Sequence, residues 1–275
     1  MFKMKLKVYA VAFALVMGMA GGALASSIVI DGSTTSLPFA QLGVERFMGA
    51  HPEVRISLSG GGSGNGIRAL IDKTANIANS SRAIRQSEIE QAEANGVNVH
   101  ETVVAVDCLA VIVHPSNTVP NLTFEQLKQI YTGEVTNWRE VGGPDSAIAV
   151  VQRDSSSGTF GTWQEMVVDR GGEARVTPRA QTVASSGAVL STVAGNRFAI
   201  GYDGLGYVDE TVRAVSVEGV TPSIETAMDG SYPLSRNLYM YTDNEPAGMI
   251  KAFIDYMLSP DGQRIVLETG FVPVQ

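Results

Sequence analysis

Four times in this chain an apolar, strand-like run ends in a cluster of glycine, serine and threonine directly before a helical pattern. The clusters are Gly32-Ser33-Thr34-Thr35-Ser36, Gly60-Gly61-Gly62-Ser63-Gly64-Asn65-Gly66, Ser80-Ser81 and Ser155-Ser156-Ser157-Gly158-Thr159. Strands that alternate with helices in this way build a mainly parallel sheet covered on both faces, with the strand-to-helix loops gathered along one edge. Strand patterns at 27–30, 54–58 and 76–79 open the chain. The first helix face, Leu37, Ala40, Val44 and Phe47, should stop near His51-Pro52. Ser87-Glu88-Ile89-Glu90 predicts a capping box for a later helix. Residues 103–113 form one long apolar run, long enough to leave one lobe and enter another. Beyond it come strand patterns at 147–151, 198–202, 213–217 and 238–241, with helix faces at 124–130, 160–167, 188–193, 247–258 and 261–268. The expected fold is therefore α/β with two lobes, each a mainly parallel sheet flanked by helices, and a ligand cleft between them. Residues 26–106 and 234–275 are assigned to the first lobe and 107–233 to the second, because the last helix should pack back on the beginning of the chain.

Such loops have a shared chemistry. The first turn of a helix leaves backbone N–H groups unsatisfied and carries partial positive charge, so several helix starts converging on one point make an anion site. Open α/β sheets bind ligands along this edge. Serine and threonine donate hydrogen bonds without adding charge, and glycine lets the backbone come close. One such cluster is most simply an N-cap and a turn; four in one chain, two of them beside an arginine, point to a ligand. Arg153 ends the strand before Ser157-Gly158-Thr159 and is able to fork onto two oxygens of an oxyanion. Arg82, after Ser81, has two readings, an anion partner or a surface salt bridge. Asp154 either orients Arg153 or caps the turn.

Other chemistries fit poorly. Gly64, Gly66 and Ala69 with Glu88 downstream resemble a dinucleotide turn only weakly, and no Lys-Ser/Thr follows the loop as a P-loop requires. Asn65 and Thr159 occupy the final glycine of a nucleophile elbow. His51, His100 and His114 have no metal-ligand spacing, so neither a metal nor a cofactor is expected. The single cysteine, Cys108, lies in the apolar run and reads as a buried strand residue. At the start, Lys3, Lys5 and Lys7 precede an apolar stretch at 8–20 and Ala23-Leu24-Ala25, the pattern of a cleaved secretory signal over residues 1–25. Its loss removes three lysines and no acid, leaving 17 basic against 28 acidic residues, a formal charge of −11. That surface argues against nucleic acid as a partner, but not against a small anion held by local donors, since salt confines long-range repulsion to about 10 Å.

The same residues resemble a known family, the phosphate-binding subunits of bacterial phosphate ABC transporters, within the type II periplasmic binding-protein superfamily. The likeness spans the whole mature chain. It rests on Gly32-Ser33-Thr34-Thr35, Gly62-Ser63-Gly64, Asn79-Ser80-Ser81-Arg82, Leu122-Thr123-Phe124-Glu125-Gln126-Leu127, Ile130-Tyr131-Thr132-Gly133 and Asn137-Trp138. It continues through Arg153 with Ser157-Gly158-Thr159, Ala199-Ile200-Gly201-Tyr202 and Gly270-Phe271-Val272-Pro273. The resemblance implies a monomeric periplasmic protein without catalytic residues, which binds inorganic phosphate and delivers it to a membrane permease. It implies that Thr34, Thr35, Ser63, Ser81, Arg153, Ser157, Gly158 and Thr159 hold the ligand. Ser81 is a departure, because well-known members have an aspartate there that accepts the proton of hydrogen phosphate; a serine tolerates sulfate as well. Other oxyanions (sulfate, molybdate, tungstate) are the first alternative, and an exported phosphate-ester hydrolase is the second. The signal pattern predicts that the exported protein begins at Ser26 or Ser27, to be read from its intact mass; retention of residues 8–20 would contradict it.

Overall fold

A computed structural model describes residues 26–274; the expected signal segment, residues 1–25, lies outside the described residues. The first half of the chain alternates as expected: β1 (Ser26–Gly32), α1 (Leu37–Ala50), β2 (Val54–Leu58), α2 (Ser63–Ile71), β3 (Ile77–Ser80), α3 (Gln86–Ala94) and β4 (Val99–Val113). Then follow β5 (Asn121–Leu122), α4 (Phe124–Thr132), β6 (Ala149–Arg153), α5 (Gly158–Trp163), β7 (Gln181–Val183), α6 (Ser186–Ala194), β8 (Ala199–Gly204) and β9 (Arg213–Val217). The chain closes with α7 (Ile224–Met228), β10 (Ser235–Asp243), α8 (Gly248–Leu258) and α9 (Pro260–Glu268). No helix among the described residues is long and apolar enough to cross a membrane.

Local signals account for most element ends. Proline in the first turn and a buried face of Phe39, Ala40, Val44 and Phe47 define α1. Thr123 and Gln126 form a reciprocal capping box at the start of α4, and Gly133 ends that helix in the left-handed region at φ 84°. The third helix begins earlier than Ser87 suggests. Arg85 is its N-cap, because the Glu88 carboxylate accepts the Arg85 backbone N–H at 2.9 Å while also gripping Arg82. The helical pattern around Trp163 runs on as a π-helical turn over Gln164–Asp169.

One ten-stranded sheet runs through the molecule in the order β2-β1-β3-β10-β4-β8-β6-β7, with β9 against β4 and β5. The expectation of parallel pairing holds on the flanks, where β1 pairs with β2 and β3, and β6 with β7 and β8. The centre departs from it. There β10 is antiparallel to both β3 and β4, and β4 is antiparallel to β8 and β9, because the chain crosses on β4 and returns alongside on β10. Residues Val99 to Cys108 of β4 face β10, and Leu109 to Val113 face β8. A single strand thus belongs to two sheet halves.

The buried apolar residues follow the same division. One core gathers Ile30, Phe39, Phe47, Leu238, Phe253 and Ile265, with Val104 and Ala105 of β4. Another gathers Leu127, Tyr131, Trp138, Trp163 and Tyr202, with Cys108 and Leu109 of β4. In this second core the Trp163 and Tyr202 rings stack at 4.3 Å, and Tyr131 leans on Trp163 at 4.8 Å. The last helix packs on the first core, as expected, and Phe271 meets Phe39 edge-on at 5.2 Å. Cys108 is buried, its thiol donates to the Ser223 carbonyl, and burial pushes its pKa to about 12.

The close seating of α2 against β1 depends on Gly66. A Cβ there would lie 2.4 Å from the Gly32 Cα and 2.5 Å from the Asp31 carbonyl oxygen, both backbone atoms that cannot swing aside. Gly66→Ala is expected to lower unfolding free energy by about 1–3 kcal/mol, the usual cost of overpacking. Urea denaturation should show the midpoint falling with an unchanged slope; an unaltered midpoint would show that the helix has room to shift.

Candidate functional site

The backbone brings three of the four glycine–hydroxyl loops together before any side chain is considered. The Gly62 N–H donates to the Gly32 carbonyl at 2.7 Å, and the Ser33 N–H donates to the Asn79 carbonyl at 2.8 Å. The fourth loop meets them from the other side, where the Gly64 N–H donates to the Ser156 carbonyl at 2.8 Å and the Ser156 hydroxyl to the Gly61 carbonyl at 3.2 Å. The starts of α2 and α5 therefore face one another across a narrow seam.

All eight residues singled out from sequence are buried at this seam or beside it. Thr35, Ser63, Ser81 and Thr159 form one hydroxyl cluster. The Thr35 and Thr159 oxygens are 2.8 Å apart, those of Ser63 and Ser81 3.3 Å, and those of Ser81 and Thr159 3.5 Å. Gly158 closes the cluster, since a Cβ there would stand 2.3 Å from the Ser63 hydroxyl oxygen and 2.6 Å from that of Ser81. Only glycine permits that approach. Ser157 is the N-cap of α5 and accepts the Phe160 N–H at 3.2 Å, which leaves its own O–H as a donor. Thr34 stands slightly apart, its hydroxyl 3.4 Å from that of Ser186 and accepting the Ser186 N–H at 3.3 Å.

Arg153 belongs with Thr34. Its side chain donates to the Ser186 hydroxyl at 3.3 Å and to the Ala184 carbonyl at 3.0 Å, while its Nε has no hydrogen-bond partner. Burial lowers the guanidinium pKa, and the carboxylates of Asp203 and Asp154 work against that. Of the two readings of Asp154, the turn cap is the one observed, since it accepts both the N–H and the hydroxyl of Ser156. Arg82 resolves as an ion pair. Its guanidinium forks onto Glu88 at 2.6 and 2.8 Å, with side chains 8% and 16% exposed, so the pair is shielded rather than superficial. That contact also occupies the acid that a ribose would need.

Four cleft residues escape the sequence reading. Ser186 follows Ser185 and precedes Gly187 at the start of α6, so it carries the same signature as the other loops. Asp203 is the next-to-last residue of β8; its Oδ1 accepts the Gly204 N–H at 2.9 Å and its Oδ2 is buried without a partner. Burial pushes its pKa up to about 6, against the pull of the Ser186 hydroxyl, the Gly204 N–H and the Arg153 charge. Asp107 and Arg236 form an ion pair at 2.8 and 3.1 Å with side chains 0% and 5% exposed, and Arg236 also donates to the Thr159 hydroxyl at 3.1 Å. Asp107 further accepts the Leu205 N–H at 3.2 Å. Burial raises the Asp107 pKa, with the Arg236 charge opposing it. A lone aspartate inside the apolar run at 103–113 was the available signal for this pair.

The domain model of the PBP superfamily matches residues 19–261. Among curated proteins, the chain is 34% identical over 250 residues to the phosphate-binding protein PstS of Bacillus subtilis, covering 90% of this chain and 81% of that protein. It is 34% identical over 257 residues to the phosphate-binding protein PstS of Borreliella burgdorferi, covering 90% of each. Among solved structures, a phosphate ABC transporter substrate-binding protein from Clostridium perfringens, with bound phosphate, aligns at TM-score 0.84 and 37% identity, covering 91% of this chain and 100% of that one. An ABC-type phosphate transport receptor from Vibrio cholerae aligns at 0.74 and 33%, covering 89% and 99%.

The buried ion pair generates a stability test. Asp107→Asn keeps an acceptor for the Leu205 N–H but strands the Arg236 charge, which should cost about 3–5 kcal/mol in chemical denaturation. Adding Arg236→Met should restore much of that loss, because the pair as a whole is close to neutral against apolar residues. Losses that simply add in the double variant would show that the two charges do not act as a pair.

Proposed function

Because the chain belongs to the PBP superfamily and, within it, to the family of PstS phosphate-binding proteins, we propose that it captures inorganic phosphate between two lobes and delivers it to the membrane permease of an ABC transporter. It is exported to the periplasm, acts as a monomer, and binds without catalysis. The lobes are residues 26–106 with 234–275, and residues 107–233.

The observation that carries this reading is the buried meeting of uncharged donors from both sides of the β4 crossing. Thr34, Thr35, Ser63 and Ser81 come from loops of the first lobe; Arg153, Ser157, Gly158 and Thr159 come from the second. An oxyanion seated there loses its water and receives hydroxyl and backbone N–H bonds in return, each stronger for ending on a charged acceptor. The α2 and α5 starts add positive potential without a mobile counter-charge. Among the buried arginines described at the seam, Arg82 and Arg236 pair directly with carboxylates, and Arg153 supplies a cationic fork with no carboxylate in direct contact. Because the ligand bonds to both lobes, binding stabilises their closed arrangement, with β4 and β10 as the strands that bend.

Calorimetry on variants tests the site. Arg153→Ala should cost about 2–5 kcal/mol of phosphate affinity, roughly thirty- to several-thousand-fold. Ser63→Ala and Thr159→Val, each losing one hydroxyl, should cost about 1.5–3 kcal/mol. If folded Arg153→Ala binds phosphate as well as the parent, the site is elsewhere. Parallel titration with sulfate decides the ligand: a parent that prefers sulfate would make Ser81, in place of an aspartate, the better guide.

A further inference from the structure

We propose that Arg236, braced by Asp107, is a positioning residue for the ligand: by donating to the Thr159 hydroxyl it turns that hydroxyl's own proton toward the oxyanion. The inference rests on the phosphate reading above.

The hydroxyls of this cleft differ in what fixes their direction. Ser63 accepts the Ser81 N–H at 3.1 Å, Ser157 the Phe160 N–H at 3.2 Å and Thr34 the Ser186 N–H at 3.3 Å. Each of these donors is a neutral backbone group. Thr159 is served by a guanidinium instead, with the Arg236 Nη2 3.1 Å from its oxygen. A guanidinium has no acceptor, so the Thr159 oxygen accepts in that contact and its O–H donates elsewhere. That oxygen lies 2.8 Å from the Thr35 hydroxyl oxygen and 3.5 Å from that of Ser81, so the O–H is aimed into the hydroxyl cluster. Hydrogen bonds in series polarise one another, and a charged donor at the head of the series strengthens the next bond most.

Asp107 sets the direction of Arg236. The Nε and Nη2 of Arg236 both meet the Asp107 Oδ2, at 3.1 and 2.8 Å, and Nη2 is the nitrogen shared with Thr159. Because the guanidinium is planar and rigid, fixing two of its N–H bonds on the carboxylate fixes the third on the hydroxyl. The pair is neutral as a whole, so it steers Thr159 without adding net charge beside the anion. It also spans the proposed lobes, since Arg236 stands on β10 of the first and Thr159 at the start of α5 in the second. The polarised donor is therefore assembled only as the lobes close, which ties affinity to closure through a residue outside the ligand's own contacts.

The test is a cycle of four proteins titrated calorimetrically with inorganic phosphate, each checked for folding by urea denaturation. They are the parent, Asp107→Asn with Arg236→Met, Thr159→Val, and the three substitutions together. Replacing both members of the pair leaves no stranded charge to confuse the reading. With Thr159 present, losing the pair should weaken phosphate binding about fivefold to fiftyfold, a part of what the whole Thr159 hydrogen bond contributes. In the Thr159→Val background the same loss should change affinity by less than about twofold, because the two sites act through one contact. Thr159→Ser keeps the hydroxyl and should preserve the full dependence on the pair. An undiminished loss in the Thr159→Val background would show that the pair acts on the anion directly, and overturns the inference; so does a folded pair variant that binds phosphate as well as the parent. Should the pair variant fail to fold, Arg236→Lys takes its place in the cycle, since it keeps a charge beside Asp107 and gives up the planar fork, and the same coupling to Thr159 is expected. A parent that binds no phosphate, or a Thr159→Val that binds it as tightly as the parent, overturns the phosphate site itself, a result distinct from a cycle that shows no coupling.

Discussion

Asp107 sits where β4 passes from one core to the other, and its carboxylate adds a charged tie between strands that the sheet ladder already holds in register. It holds Arg236 on the returning strand and the Leu205 N–H after β8, and through Arg236 it reaches the Thr159 hydroxyl at the start of α5. A buried pair of this kind adds little net stability over apolar residues, yet removing either partner is expensive. Its worth lies in position. The two neighbouring strands β4 and β10 are tied side by side where β4 changes cores, and the tie ends on the Thr159 hydroxyl.

The fold was largely legible because its signals are local. Strand runs, capping residues and the spacing of Leu37, Ala40, Val44 and Phe47 depend on neighbours a few residues away, and the elements appear where those patterns put them. The antiparallel centre was not legible, since pairing between β4 and β10 joins residues more than a hundred positions apart and no local period encodes it. The cleft divides in the same way. Thr35, Ser63, Ser81 and Thr159 announce themselves as hydroxyls ahead of helices, and Ser186 would have been found by the same rule. Arg236 and Asp203 carry no such mark, because an arginine or aspartate in a strand acquires its meaning only from what distant parts of the chain place against it. Gly158 is intermediate: its place in a turn is local, but the need for no side chain comes from Ser63 and Ser81.

The chain's acidity and its cleft operate on different scales. A formal charge of −11 after the expected signal is lost describes the solvated exterior, where each charge is screened within about 10 Å. Within the seam the charges that matter number four, two arginines and two aspartates, all removed from solvent. An anion seated there as proposed would meet mostly neutral donors, which limits the cost of burying charge.

The last helix has a consequence for how the protein comes into being. Phe39 near the start packs against Phe271 near the end, and β3, already paired with β1 on one side, gains its second neighbour only when β10 arrives, so the first core lacks an essential wall until nearly the whole polypeptide is available. The second core is drawn almost entirely from one continuous stretch and has no such wait. Contacts this distant are slow to form, because the loop between them must close first. During synthesis the core begun by the leading end therefore stays open until the segment that arrives last seals it.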